Sequence, residues 1–148
     1  MKTFKEWEGA AGESRRSDPL WSVQAYRISL YLIKCHTFDR GTIARLQKAA
    51  ALDQLTRALG SIAANIAEGY SRLSIADRTR FYGYALGSTR ESIAWYDTLR
   101  IELGGLVDER QAVLIQVRRL LLTTLRNIRP EGATIKLRDS VRRGGTSD

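Results

Sequence analysis

The chain has little of what most catalytic and metal chemistry requires. Among its 148 residues there is one cysteine, Cys35, and one histidine, His36. A single cysteine excludes a disulfide within the chain and fits a reducing, cytoplasmic setting. One thiol and one imidazole, with no second soft ligand, leave a zinc site without its donors. They also leave no set of nucleophile, histidine and acid, and no glycine-rich phosphate loop is present, so neither an enzyme nor a cofactor is expected. No apolar run approaches the roughly 18 residues of a membrane-spanning helix, so no membrane partner is expected. The first 16 residues lack an apolar core of the kind a secretory signal carries, and no such signal is expected. Proline occurs only as Pro19 and Pro130.

What the chain has in excess is positive charge. The formal net charge is +8, and 19 of the 24 basic residues are arginine. Residues 1–18 hold four basic and four acidic side chains, and residues 130–148 hold four and three. The remaining 16 basic and nine acidic residues leave +7 on residues 19–129, so the charge belongs to the folded part. Arginine's planar fork suits bidentate contacts with phosphate or carboxylate, and a polyanionic partner, RNA or DNA, follows naturally. A solvated basic surface, or arginines used in ion pairs between subunits, would give the same count.

Hydrophobic periodicity predicts helices throughout residues 19–129. Asp18 followed by Pro19 reads as the start of a first helix, with a capping acid and a proline whose missing N–H is harmless in the first turn. That helix carries two stripes, one through Val23, Tyr26, Leu30 and Ile33 and one through Trp21, Ala25, Ile28, Leu32 and Cys35. One stripe is enough inside a single bundle, so Trp21, Ile28 and Leu32 are candidate contacts with another subunit. Cys35 reads as a small core residue and His36 as a cation at the helix end. The phase then changes, which predicts a short helix over 42–50 and a break near 51–53, or one long helix with a stutter. Leu52, Leu55, Leu59, Ile62 and Ile66 follow at 3-4-3-4 spacing on a second helix expected over about 52–71, with Gly69 read as the stop.

After the turn, Ser74 caps a third helix with Asp77 three residues on, running to about Leu103. Its Gly83, Ala85, Gly87 and Ser88 predict close backbone packing on Ala63, Ala64 and Ala67, because interior glycine costs about 1 kcal/mol relative to alanine. Gly104 and Gly105 read as its end. Asp108 and Gln111 read as the cap of a fourth helix, whose core line is Leu114, Val117, Leu121, Thr124 and Ile128. Residues 1–18 are expected to be a mobile N-terminal arm, and 130–148 a disordered basic tail.

The segment SIAANIAEGYSR at 61–72, followed by RFY at 80–82, ALGS at 85–88 and Glu91, resembles a bacterial four-helix-bundle family known from proteins encoded in intervening sequences of large-subunit ribosomal RNA genes. A more distant branch of that family includes the accessory variability determinant of diversity-generating retroelements. The resemblance spans roughly residues 20–129. It implies an all-α, antiparallel up-down four-helix bundle that assembles into a ring-like homo-oligomer, a pentamer. In the retroelement branch it implies a basic protein that binds nucleic acid and a reverse transcriptase. One departure is Ala63, where many members carry proline.

Taken together, these readings predict a non-enzymatic homo-oligomer that binds RNA or DNA through Arg72, Arg78, Arg118, Arg119, Arg126 and Arg129. The alternative is a structural oligomer or scaffold for protein partners. Asn65, Glu68, Arg80 and Glu91 are assigned structural polar roles: Asn65 hydrogen-bonding across the bundle, and Glu68 pairing with Arg72 or Arg80.

Overall fold

The strongest apolar stripe of the sequence is also the centre of the fold. Leu55, Leu59, Ile62 and Ile66 have between 0 and 1% of their surface exposed, and complete burial of each such side chain contributes roughly 1.5–3 kcal/mol. They line α4, Ala49–Ser71, in a computed structural model that describes residues 2–128. Around it lie α3, Gln24–Arg45, α5, Ile75–Asp97, and α6, Arg100–Ile128. Helix α3 packs on α4 and α6, and α5 packs on α4 and α6, which closes a ring of four. Links of two or three residues join successive helices, so neighbours run antiparallel. Among the described residues there is no strand, and the fold class is the helical bundle that the periodicity predicts.

Helix boundaries depart from the sequence reading in several places. Asp18 does cap, accepting from the Leu20 N–H at 2.8 Å, but what it caps is a 3-10 turn, Pro19–Ser22. Helix α3 begins only at Gln24 and continues past His36 to Arg45, so His36 lies inside the helix and is buried. No separate helix covers 42–50, and the break falls at Leu46–Lys48. There Gln47 takes φ 55° and its N–H donates to the Ala44 carbonyl at 3.1 Å. This is the left-handed stop that a glycine usually supplies. Helix α4 ends at Ser71, the expected end, and Gly69 lies two residues inside it rather than at the stop. The position is buried against α5, where a Cβ would lie 3.2 Å from the Phe81 Cβ and 3.5 Å from the Arg78 carbonyl oxygen. Helix α5 stops at Asp97 rather than near Leu103, and the one non-helical residue within α6 is Leu103, at φ −125°.

Residues 2–18, expected as an irregular arm, form two short helices, α1, Phe4–Gly9, and α2, Glu13–Arg16. Thr3 and Glu6 cap α1 reciprocally. Phe4 meets Tyr31 edge-on at 5.5 Å, and Trp7 sits 5.7 Å from Tyr31 and 6.0 Å from Trp21. Phe4 and Trp7 are therefore packed on the chain's own α3. The expected tail at 130–148 lies outside the described residues.

Candidate nucleic-acid interface

Two arginine-bearing surfaces follow from this topology. The first is the α4–α5 hairpin tip. Its capping is as predicted: the Asp77 N–H donates to Ser74 Oγ at 3.0 Å. Arg72 pairs with Glu68 one turn back, and Arg80 pairs with Asp77 at 2.9 Å rather than reaching Glu68. Both guanidinium groups also lie over the ring of Phe81, at 5.0 and 5.3 Å from its centroid. Tyr84 meets that ring edge-on at 5.9 Å. Leu73, Ile75 and Tyr84 are exposed beside them, Leu73 completely at 100%. Arg78 is half-buried, its Nε unpaired with any protein group.

The second surface is α6. Arg119 and Arg126 are exposed and Arg118 is half-buried, and among the described residues none of the three has a carboxylate partner within ion-pair distance. Seven residues apart, Arg119 and Arg126 share one side of the helix. Because α5 and α6 are antiparallel, Arg126 stands at the same end of the bundle as the hairpin tip. Arg129 lies outside the described residues.

The remaining assigned residues fall elsewhere. Ile28 and Leu32 are 1 and 0% exposed inside the single-chain core, so the second stripe of α3 is covered by the chain's own helices and offers nothing to another subunit. Trp21 is partly covered by Trp7. Asn65 does not cross the bundle: its Nδ2 donates to the carbonyl and hydroxyl of Ser61, at 2.8 and 2.9 Å, within the same helix. The polar link between α4 and α5 is instead Ser88 Oγ to Ser61 Oγ at 2.9 Å. Gly83 and Gly87 do not serve close approach within the chain, since a Cβ at either would meet nothing within 4 Å. Glu91 is exposed on α5.

The sequence reading missed the most deeply buried charges. Arg110 of α6 donates through Nε and Nη2 to the two carboxylate oxygens of Asp39 on α3, at 2.7 and 3.0 Å, and both residues are 5% exposed. Burial opposes the guanidinium's charge, but the hydrogen bond and attraction of Asp39 outweigh it and raise the Arg110 pKa further. Burial pushes the Cys35 thiol and the Tyr96 phenol up, which keeps both protonated beside the pair. A protonated thiol is a poor nucleophile, and the cluster reads as a neutralised strut between helices. A signal for it was available. Asp39 continues the stripe Ala25, Ile28, Leu32, Cys35, and Arg110 stands one turn before Leu114, Val117, Leu121, so two opposite charges lie in phase with two core lines. Among the described residues, no group of three or more histidine, cysteine, aspartate or glutamate side chains could hold a metal, and no helix is long and apolar enough to cross a membrane.

Comparison with curated proteins and with solved structures gives no match in either case. Comparison with protein families gives one described as 23S rRNA-intervening sequence protein, over residues 31–121. That span runs from Tyr31 in α3 to Leu121 in α6, more than half the chain, and includes the hairpin signature and both members of the Asp39–Arg110 pair. The chain belongs to the 23S rRNA-intervening sequence protein family.

Proposed function

We propose that this protein is a non-enzymatic homo-oligomer that binds RNA or DNA through arginines of α6 and of the α4–α5 tip. The observation that carries the reading is the state of Arg118, Arg119 and Arg126. Arg57, Arg72, Arg80 and Arg100 are matched to carboxylates, whereas these three, like Arg40, Arg45, Arg78 and Arg90, have none among the described residues, and only these stand three together on one stretch of a single helix. Unmatched guanidinium groups on one helix attract a polyanion without displacing an internal partner. In a ring of subunits the charge would multiply with copy number, and a pentamer is the assembly that the family resemblance implies. A reverse transcriptase partner is not part of the proposal, since the matched family is the intervening-sequence one.

The test is a salt titration of binding to structured RNA and to duplex DNA, with the assembly mass fixed by light scattering. Affinity should fall steeply with salt, with no strong sequence preference. Replacing Arg119 and Arg126 with glutamine should reduce the slope of log affinity against log salt by about 2. Absence of binding at low salt would overturn the reading. It would favour a second one, a scaffold for protein partners, which the exposed Leu73, Ile75 and Tyr84 at the hairpin tip support.

A further inference from the structure

The two N-terminal helices do more than cover α3. Between them and that helix lies a cavity of about 580 Å³, within the size range of small-molecule sites. Three rings, Trp7, Tyr31 and Phe38, and three cations, Lys2, Arg15 and Lys34, contribute to its lining, and no carboxylate does. Tyr31, Lys34 and Phe38 recur at three- and four-residue spacing, so a single face of α3 supplies both a cation and two rings. Trp7 and Tyr31 stand 5.7 Å apart at 54°, held by the bond that the Tyr31 hydroxyl donates to the Lys2 carbonyl at 2.9 Å.

Two acids of α1 are already engaged. Glu6 accepts from Thr3, and Glu8 pairs with Arg27. Lys2, Arg15 and Lys34 have no ion-pair partner among the described residues. Phe38 is 59% exposed, an apolar ring left facing solvent, with the Lys34 ammonium 5.2 Å from its centroid.

We propose that this cavity binds a nucleotide, its base lying against the aromatic wall and its phosphate among the three cations. Two features select that class. Aromatic faces take planar rings, and every nucleic-acid base has a face that can stack on such a side chain. Three unmatched cations around one cavity call for a multiply charged anion such as a phosphate monoester rather than a single carboxylate. The ligand is either a free mononucleotide or one nucleotide of a single strand, which share this chemistry. Lys2, Trp7 and Arg15 precede the span that the family match covers, so the site is assembled partly from residues outside it. It is also separate from the surface on α6, and the two can fail independently.

The experiment is a titration of the full chain with adenosine 5′-monophosphate, followed by tryptophan fluorescence and calorimetry, alongside adenosine, inorganic phosphate and a short oligoadenylate. Saturable binding of the monophosphate is expected, at least tenfold tighter than that of adenosine or phosphate. Phe38→Ala and Lys34→Gln alter exposed side chains, so the helical circular dichroism should be kept while monophosphate binding weakens about tenfold in each. Tighter binding of the oligoadenylate would identify a strand as the source, and equal or weaker binding a free nucleotide. Duplex binding through Arg119 and Arg126 should be unchanged in both variants. The proposal is overturned if neither the monophosphate nor the oligoadenylate saturates, if phosphate alone binds as well, or if Phe38→Ala and Lys34→Gln bind like the parent.

Discussion

Arg110 grips both oxygens of Asp39 across the α3–α6 seam, with neither residue more than 5% exposed. A buried pair of this kind is a weak source of net stability when both members are present, because desolvation offsets most of the attraction. Losing one member is another matter. Asp39→Leu or Arg110→Met should each lower unfolding free energy by about 3–5 kcal/mol. The double replacement Asp39→Leu with Arg110→Met should cost much less than the sum of the two. Urea denaturation of the four proteins measures the coupling, and simple additivity would show that the pair is not the strut described above.

His36 gives the fold a weakness on the acid side of neutrality. The Thr56 hydroxyl donates to the Leu52 carbonyl at 2.8 Å, so its oxygen accepts from His36 Nε2, also at 2.8 Å. Nδ1 is then a buried lone pair with no protein partner. Burial lowers the imidazole pKa below its usual 6.5; Asp39 works against that shift and Arg40 with it. Because the unfolded chain binds the proton more readily, stability is complete above about pH 6.5 and falls as pH drops below it, by at most ~1.4 kcal/mol per pH unit. Glu102, held below the ordinary glutamate value of 4.5 by its bond from Lys48, acts only in a more acidic window. A melting temperature that stays level between pH 7.5 and 5.5 would contradict this assignment. In His36→Gln the decline over that interval should flatten.

Glycines at 83 and 87 occupy the interior of α5 with open space where a Cβ would sit. In an isolated chain, Gly83→Ala and Gly87→Ala should each raise stability by about 0.5–1 kcal/mol, since alanine is the better helix former. If that space is instead filled by a second copy, the same changes should dissociate the assembly. Light scattering combined with thermal melts separates the two results.

Gln47 holds the left-handed conformation that ends α3, at φ 55°, and a side chain there costs roughly 1–2 kcal/mol. Gln47→Gly relieves that cost and gives part of it back as unfolded-state entropy. A net gain of up to about 1 kcal/mol is expected. A loss on denaturant melting would mean that the glutamine side chain makes a contact worth more than the strain.

The helices were legible wherever an apolar stripe was unbroken. Leu55, Leu59, Ile62 and Ile66 on α4, and Leu114, Val117 and Leu121 on α6, are all at or near zero exposure, as their spacing requires. Boundaries were less legible where two weak signals competed. Asp18 and Pro19 start a turn rather than a helix, and Gln47 does at the end of α3 what a glycine was expected to do elsewhere. Ala63 needs no proline's geometry, and its small side chain is buried in α4. The candidate arginines were legible as charge, but pairing is a property of space. Arg72 and Arg80 have acids three or four residues away, while Arg119 and Arg126 have none. The Asp39–Arg110 pair escaped because its members stand 71 residues apart, and no local pattern joins them.

That separation also bears on how the chain reaches its fold. Each of the contacts α3–α4, α4–α5 and α5–α6 joins helices adjacent in sequence, and such local contacts can close early at little cost in chain entropy. The seam between α3 and α6 is the one long-range closure among the four helices, and Arg110 meets Asp39 only when it shuts. Removing that pair should therefore leave the refolding rate nearly unchanged and act mainly by accelerating unfolding, a division that stopped-flow kinetics in both directions would reveal.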